Sequence, residues 1–452
     1  MIEAPYVDRH FIEEYTGYYA NTLRPPPQKT VRLHFFSTVV DESRFRGWLR
    51  RVQSEGAETV QREIEAEYLG FSVIRPLAFA PIGRTVLRTY GARESRCFEP
   101  ARTGHRVHLA GLELLLEGLP FQQQDQAVGA CATTAIWSAL ARVMRADGNR
   151  PTTPLAITTA ATRHLLSARP FPAVAGLDLN QMLAAIRAFG YSPDVTKGAT
   201  AAHYQMLLKC YVASGIPVIL TLRQEETGEV HAVSVVGYRE SDDEEEAQPI
   251  SIGEHGGKQL NATGITRLYA HDDRLGPYAR MSWLKSDEDG TPRLRFTPGA
   301  SGFERFEEPL HVWYAIAPLY PKLRLAADDL MSIASQLLPT VLVLAGKPDW
   351  REVWTDLRFQ LSGAYLRQAL ELPVSSQRKE ALVMSAKLSR YVGVIRFWKQ
   401  NEWFADVICD TTDIRRPTSD YSPVLAIVPH DEKVADTLRK YLAQAGHAAA
   451  VF

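Results

Sequence analysis

The chain has 452 residues, 45% of them apolar, which is ample for the buried cores of two or three domains. Lys and Arg number 51 against 52 Asp and Glu, so a formal charge of −1 offers no long-range attraction to nucleic acid or to an anionic membrane, and neither is expected as a partner. The opening Met1-Ile-Glu-Ala-Pro-Tyr lacks a basic segment ahead of an apolar core, and no apolar run approaches the roughly 20 residues of a membrane helix, so a cytoplasmic chain is expected.

From Tyr6 to about Ala110 strand-like and helix-like patterns alternate. Val31 to Phe36, Phe71 to Pro76 and Arg84 to Tyr90 read as strands, and Ala57 to Tyr68 as a charged helix, so residues 1–115 are expected to form an α/β region with its own small sheet. His105 and His108, close together on a strand-like stretch, would be metal ligands if they faced one side. No Cys or carboxylate pair accompanies them, and a solvated strand is the simpler expectation.

The segment Gln122-Gln-Gln-Asp-Gln126-Ala-Val-Gly129-Ala-Cys131 leads polar amides and a Gly-Ala step into one cysteine. Behind it Ile136, Leu140, Val143 and Met144 recur at helical spacing until Asp147-Gly148 stops the pattern. Cys131 therefore opens a buried helix, where unpaired backbone N–H groups and the positive end of the dipole favour a thiolate. Further helices are expected over Leu155 to Leu166, Gly176 to Phe189 and Tyr204 to Ala213, the last carrying Cys210 as core packing. Gly215 to Leu222 and His231 to Tyr238 are two apolar β-branched runs joined by Gln224 to Glu229, so they read as neighbouring strands, with His231 starting the second. After the acidic, solvated run Asp242 to Glu246, a third strand from Ile265 delivers His271-Asp272-Asp273 just before Leu275-Gly-Pro turns the chain.

In residues 321–452 helices are expected over Leu323 to Leu337 and Trp350 to Leu372. Paired strands follow at Val392 to Trp398 and Trp403 to Asp410, then a buried strand at Val424 to Val428 and an amphipathic helix from Glu432 to Ala445. Cys409-Asp410-Thr-Thr-Asp413 reads as a turn built on side-chain hydrogen bonds rather than a cation site. The four cysteines, Cys97, Cys131, Cys210 and Cys409, are far apart and lack Cys-x-x-Cys spacing, which argues against a zinc site or a disulfide framework.

A helix-initial Cys, a strand-initial His and a strand-terminal Asp, in that order and with glutamines just ahead of the Cys, resemble the papain-like cysteine peptidases. The closest likeness is to the bacterial branch that includes the leader peptidases of bacteriocin exporters. It covers roughly residues 118 to 285 and includes Gly176-Leu-Asp-Leu-Asn180, Gly215-Ile-Pro-Val and Gly237-Tyr238. The resemblance implies an α+β fold: a papain-like catalytic domain over 116–320, helical first and then an antiparallel sheet, flanked by α/β units. It also implies a cysteine peptidase without cofactor or metal, whose substrate is a protein or peptide. Cys131 would be the nucleophile, His231 the base and Asp272, rather than the adjacent Asp273, the orienting acid. The branch places its oxyanion glutamine six residues before the Cys, where this chain has Asp125; Gln124 is the favoured substitute and Gln126 the alternative. Ala132 stands where the branch has Gly. Hydrolysis, acyl transfer through a thioester, and a catalytically weak binding role on the same fold remain open at this point.

Overall fold

The computed structural model describes residues 1–91, 95–125, 128–163, 176–241, 250–252, 258–260, 264–284, 291–297, 308–346, 353–399, 402–412, 423–444 and 450–452. The architecture is mixed α and β with several antiparallel sheets, and the residues fall into two compact units. The first holds 1–198, 215–238 and 267–318; the second holds 199–214, 239–266 and 319–452. Residues 1–115 thus share a unit with Cys131, His231 and Asp272.

In the first unit, a five-stranded antiparallel sheet runs in the order Ile2–Tyr6, Thr30–Phe36, Tyr68–Ile74, Ile82–Leu87, Pro120–Phe121. Alternate residues point to opposite faces of a strand, and one face packs Tyr68, Phe71, Val73 and Val86 against Trp48, Val60 and Ile64 of the helices Glu42–Glu55 and Ala57–Glu67. The sheet has a direct consequence for the site, because its last strand, Pro120–Phe121, hands the chain to the loop before Cys131. A second sheet closes on itself as a six-stranded barrel: Val218–Gln224, Val230–Glu240, Ile265–Asp272, Gly276–Trp283, Arg293–Thr297 and Leu310–Leu319, which pairs back onto Val218–Gln224. The helix Cys131–Ala146 packs on the barrel strand Val218–Gln224 and on the helices Pro154–Thr162 and Leu179–Ala188. It is buried around most of its circumference.

The second unit is built on the antiparallel strands Val353–Leu361, Tyr391–Lys399, Glu402–Asp410 and Val424–Pro429, with Ala450–Val451 added in parallel. Its most buried acid, Asp406, is fully engaged: Arg396 donates twice at 2.7 Å, Trp403 Nε1 at 3.0 Å and the Tyr365 hydroxyl at 3.1 Å. The helix expected over Trp350 to Leu372 is a correction, since Val353–Leu361 is a strand and, among the described residues of that span, only Ser362–Ala369 is helical. Val353, Thr355, Leu357 and Phe359 are buried in alternation, a period-2 pattern that nine-residue pairing with Tyr391–Lys399 selects over the helical one.

The helix expected from Leu323 starts at Ala327 and runs through Pro339 to Ala345. Its stretch Ala327–Leu344 has a mean hydropathy of 1.3, which makes it long and apolar enough to cross a membrane by composition and corrects the expectation that no apolar run approaches that length, although 44% of the stretch is buried within the protein. Asp410 behaves as expected, its Oδ1 accepting from the Thr412 backbone N–H at 2.9 Å and the Thr412 hydroxyl at 2.7 Å. Asp413 and the acidic run at 242–246 lie outside the described residues.

Candidate active site

The approach to Cys131 is held by charge. Asp125 turns its Oδ1 back onto its own loop, accepting from the Val128 N–H at 2.6 Å and the Gly129 N–H at 3.0 Å, which shapes the Gly129-Ala130 step into the helix. Behind it lies Arg75, buried, with Nη1 3.0 Å from Glu14 Oε2 and 3.5 Å from Asp125 Oδ2, while Nη2 donates to the Gln123 carbonyl at 3.0 Å. Gln122 donates to the other Glu14 oxygen at 2.7 Å. Burial raises the Glu14 carboxyl pKa, and the nearby Asp125 charge adds to this against the opposing pull of Arg75. Such a buried network is stable only with its charges matched.

Cys131 is the first residue of the helix Cys131–Ala146 and is partly exposed. Backbone N–H groups in a first turn have no partner inside the helix, so they converge on whatever lies at the Cys131 end. His231, near the start of its barrel strand, has its Nε2 2.7 Å from Asp272 Oδ2, and Cys131 is near enough to act on the same imidazole. Burial alone would lower the imidazole pKa. The Asp272 charge and hydrogen bond, with Cys131 as a further partner, outweigh it and lift the value to about 10.

Asp272 is buried at the end of the strand Ile265–Asp272, and its second oxygen accepts from the Arg274 N–H at 2.8 Å and the Leu275 N–H at 3.0 Å. Burial opposes its ionisation, but the His231 charge and these bonds hold its carboxyl well below the usual carboxylate range. Both its oxygens being engaged, Asp272 presents one fixed face to the imidazole.

Consecutive strand residues should face opposite ways, yet Asp273 also reaches His231, its Oδ1 lying 3.4 Å from Nε2. The pairing register of the two strands shifts between Ala270 and Asp272, and the Leu275 N–H closes a turn on the Asp272 carbonyl at 3.2 Å, so the chain has already left the strand at Asp273. Burial, with the Asp272 charge beside it, raises the Asp273 carboxyl to about 6 against the pull of His231. His271 points elsewhere. Its Nδ1 lies 3.1 Å from Ser138 Oγ and 3.3 Å from the Pro120 carbonyl, and burial pushes its pKa down to about 3, so it ties the Cys131 helix to the Asp272 strand as a neutral ring.

A cleft of about 290 Å³ opens beside the thiol, lined by Cys131 and by Leu179, Met182, Val230, Ala232, Trp313 and Tyr314. Trp313 is 38% exposed, high for so large an apolar ring, and lies at the rim of this cleft.

Cys131, His231 and Asp272 are thus brought together. Gln124 is exposed and Gln126 lies outside the described residues. Cys210 and Cys409 are buried core residues, and burial lifts the Cys409 thiol to about 12. The expectation that His105 and His108 share a face is corrected: three positions apart on one strand, they point to opposite sides, His105 buried and His108 exposed. His105 is also not solvated, since its Nε2 lies 3.0 Å from the Gly118 carbonyl. Sequence reasoning missed Glu14 and Arg75, which lie 111 and 50 residues before Asp125 and carry no local signature. It also missed the Trp313-Tyr314 pair, for which two adjacent aromatics on a strand were an available signal. Comparisons with protein-family models and with curated proteins found no match to this chain.

Proposed function

We propose that this chain is a cysteine-type peptidase of papain-like architecture, cleaving a peptide or isopeptide bond with Cys131 as nucleophile. The observation that carries the reading is the shared imidazole. His231 is bonded through Nε2 to a fixed, ionised Asp272 and has Cys131 as its other partner at the start of a helix. A base oriented by a third group and facing a nucleophile is the arrangement covalent acyl transfer requires.

In this mechanism the Cys131 sulfur adds to the substrate carbonyl carbon. His231 gives a proton to the departing amine as the C–N bond breaks, and water, deprotonated by the same ring, then hydrolyses the thioester. Asp272 fixes the tautomer, as its Nε2 contact requires. The developing oxyanion is met by the Cys131 backbone N–H and, in this reading, by the Gln124 amide. Asp125, at the position where the family has its glutamine, is already spent on the loop. The cleft beside the thiol suits an apolar side chain next to the scissile bond.

The direct test is alkylation of the native protein with iodoacetamide at pH 6, followed by mass spectrometry. Fast labelling of Cys131 ahead of Cys97, Cys210 and Cys409 supports the reading, whereas labelling no faster than Cys97 points to a binding protein on the same fold. Substrate choice has its own test. Few long-range charges are available for selection, so turnover should be confined to one or a few cellular proteins and be absent on casein; broad casein cleavage would overturn that part.

A further inference from the structure

We propose that His231, Asp272 and Asp273 form a binding site for one divalent transition-metal ion of the zinc class, and that its occupation switches the Cys131 centre off. Ligand atoms of the three residues all lie within 4.8 Å of one another, and all three residues are buried. Asp273 is the residue the mechanism above leaves unused. It is only 4% exposed, and among the described residues neither carboxylate oxygen accepts a hydrogen bond from another residue, while Oδ1 lies 3.4 Å from His231 Nε2. A buried carboxylate that no other residue hydrogen-bonds is costly unless something pairs with it.

The donor set fits a specific kind of ion. One imidazole nitrogen and two carboxylate oxygens suit zinc and its neighbours better than magnesium or calcium, which favour oxygen alone. Metal–ligand bonds of about 2.0 to 2.2 Å in a tetrahedron put the ligands roughly 3.3 to 3.6 Å apart. The Nε2–Asp273 separation of 3.4 Å already matches, and the Nε2–Asp272 contact of 2.7 Å needs to open by under about 1 Å. Arg274, with Nη2 3.6 Å from Asp272 Oδ2, offsets one of the two negative charges and leaves the other for the cation. An ion held by these three ligands would complete a tetrahedron with water.

Binding replaces the Nε2 proton with the metal and releases that proton to solvent. The ring left behind is neutral, its one proton on Nδ1, and no longer an imidazolium beside Cys131, so the sulfur loses its countercharge and takes up a proton from solvent as the thiol, with no vacant ring nitrogen to remove it again. Asp272, now a ligand, no longer supports an imidazolium. The metal would therefore act as an inhibitor. The binding half of this proposal stands apart from the peptidase reading; only the switching-off half rests on it.

The test uses the full chain with Zn²⁺ in competition with a chromophoric chelator, and Co²⁺ for its absorption spectrum. The wild type should bind one equivalent, and the Co²⁺ complex should show d–d bands of a low-symmetry nitrogen and oxygen site without an intense thiolate charge-transfer band. Asp273→Asn should weaken Zn²⁺ by at least about tenfold, while Cys131→Ala should bind as the wild type does. Zn²⁺ should slow iodoacetamide labelling of Cys131 in the wild type and leave the rate of Asp273→Asn unchanged. No stoichiometric binding by the wild type overturns the proposal whether or not any variant folds, and so does a thiolate band, or binding lost with Cys131→Ala. Slow labelling of Cys131 in metal-free protein would instead count against the peptidase reading alone.

Discussion

At the scale of single residues the two aspartates after His271 divide the work, because only one of them is held. Asp272 spends both oxygens, on His231 and on the Arg274 and Leu275 N–H groups, while among the described residues Asp273 accepts a hydrogen bond from no other residue. Asp272→Asn should therefore lower kcat by about 10²- to 10⁴-fold with the fold intact, and Asp273→Asn should be nearly silent in metal-free buffer. Cys131→Ala or His231→Ala should abolish turnover; steady-state kinetics beside circular dichroism reads all four. If Asp273→Asn proves the damaging change, the roles of the two acids are reversed. For the oxyanion, Gln124→Ala should lower turnover by about 10²- to 10³-fold with little change in KM, since the amide acts on charge that develops in the transition state. Gln126→Ala should be mild, and the opposite result would move the donor to the other side of Asp125.

Among the elements, the loop before Cys131 is the one most exposed to distant change. Arg75, on the segment following the strand Tyr68–Ile74, balances Glu14 from the helix Arg9–Gly17 and Asp125 from the loop. Arg75→Met would leave two carboxylates buried with no cation between them. A loss of about 3 to 5 kcal/mol is expected in urea unfolding, together with slower Cys131 labelling, because Asp125 shapes the helix start. A loss under about 1 kcal/mol would mean the loop is held mainly by its own backbone bonds. The six-residue register of the approach was readable in the sequence. Asp125 at its sixth position, with Gln124 and Gln126 beside it as candidate donors, was readable too, but that the Asp125 carboxylate is occupied by the Val128 and Gly129 N–H groups is known only from the fold.

For the whole molecule, four buried histidines of the first unit make acid sensitivity measurable. Burial lowers His105 and His271 to about 3 and His10 and His34 to about 4, from an ordinary value of 6.5, with Arg145, Arg84 and Arg32 adding to the effect at His105, His10 and His34 respectively. Below pH 6.5 the unfolded chain takes up protons that the folded chain refuses, so stability falls as pH drops. Above 6.5 both states are neutral and the effect vanishes. Each histidine contributes a slope of about 1.4 kcal/mol per pH unit in the titrating window. Denaturant titrations from pH 7 to about pH 5 should show this decline, and His105→Gln, which keeps a donor for the Gly118 carbonyl, should reduce its slope while His108→Gln leaves it unchanged. The composition of the first unit also bears on truncation. A segment of residues 116–320, the catalytic span the family likeness implies, would lack Glu14 and Arg75, so loss of activity on such truncation would report on the Asp125 loop and not on substrate recognition.

Local pattern was enough for much of the chain. The helix opening at Cys131, the antiparallel pair that carries His231, the strand ending at Asp272 and the paired strands of 391–410 all follow from periodicity and turn residues, which act over a few neighbours. Where local pattern was ambiguous, tertiary pairing decided: Val353–Leu361 is a strand because Tyr391–Lys399 offers nine partners for it. Closure of the barrel through Leu310–Leu319, the meeting of Glu14 and Arg75 with Asp125, and the turning of both aspartates toward one imidazole depend on residues tens to hundreds of positions apart. No local signal encodes such meetings, because burial and charge matching act on distance in space, which only the folded chain defines.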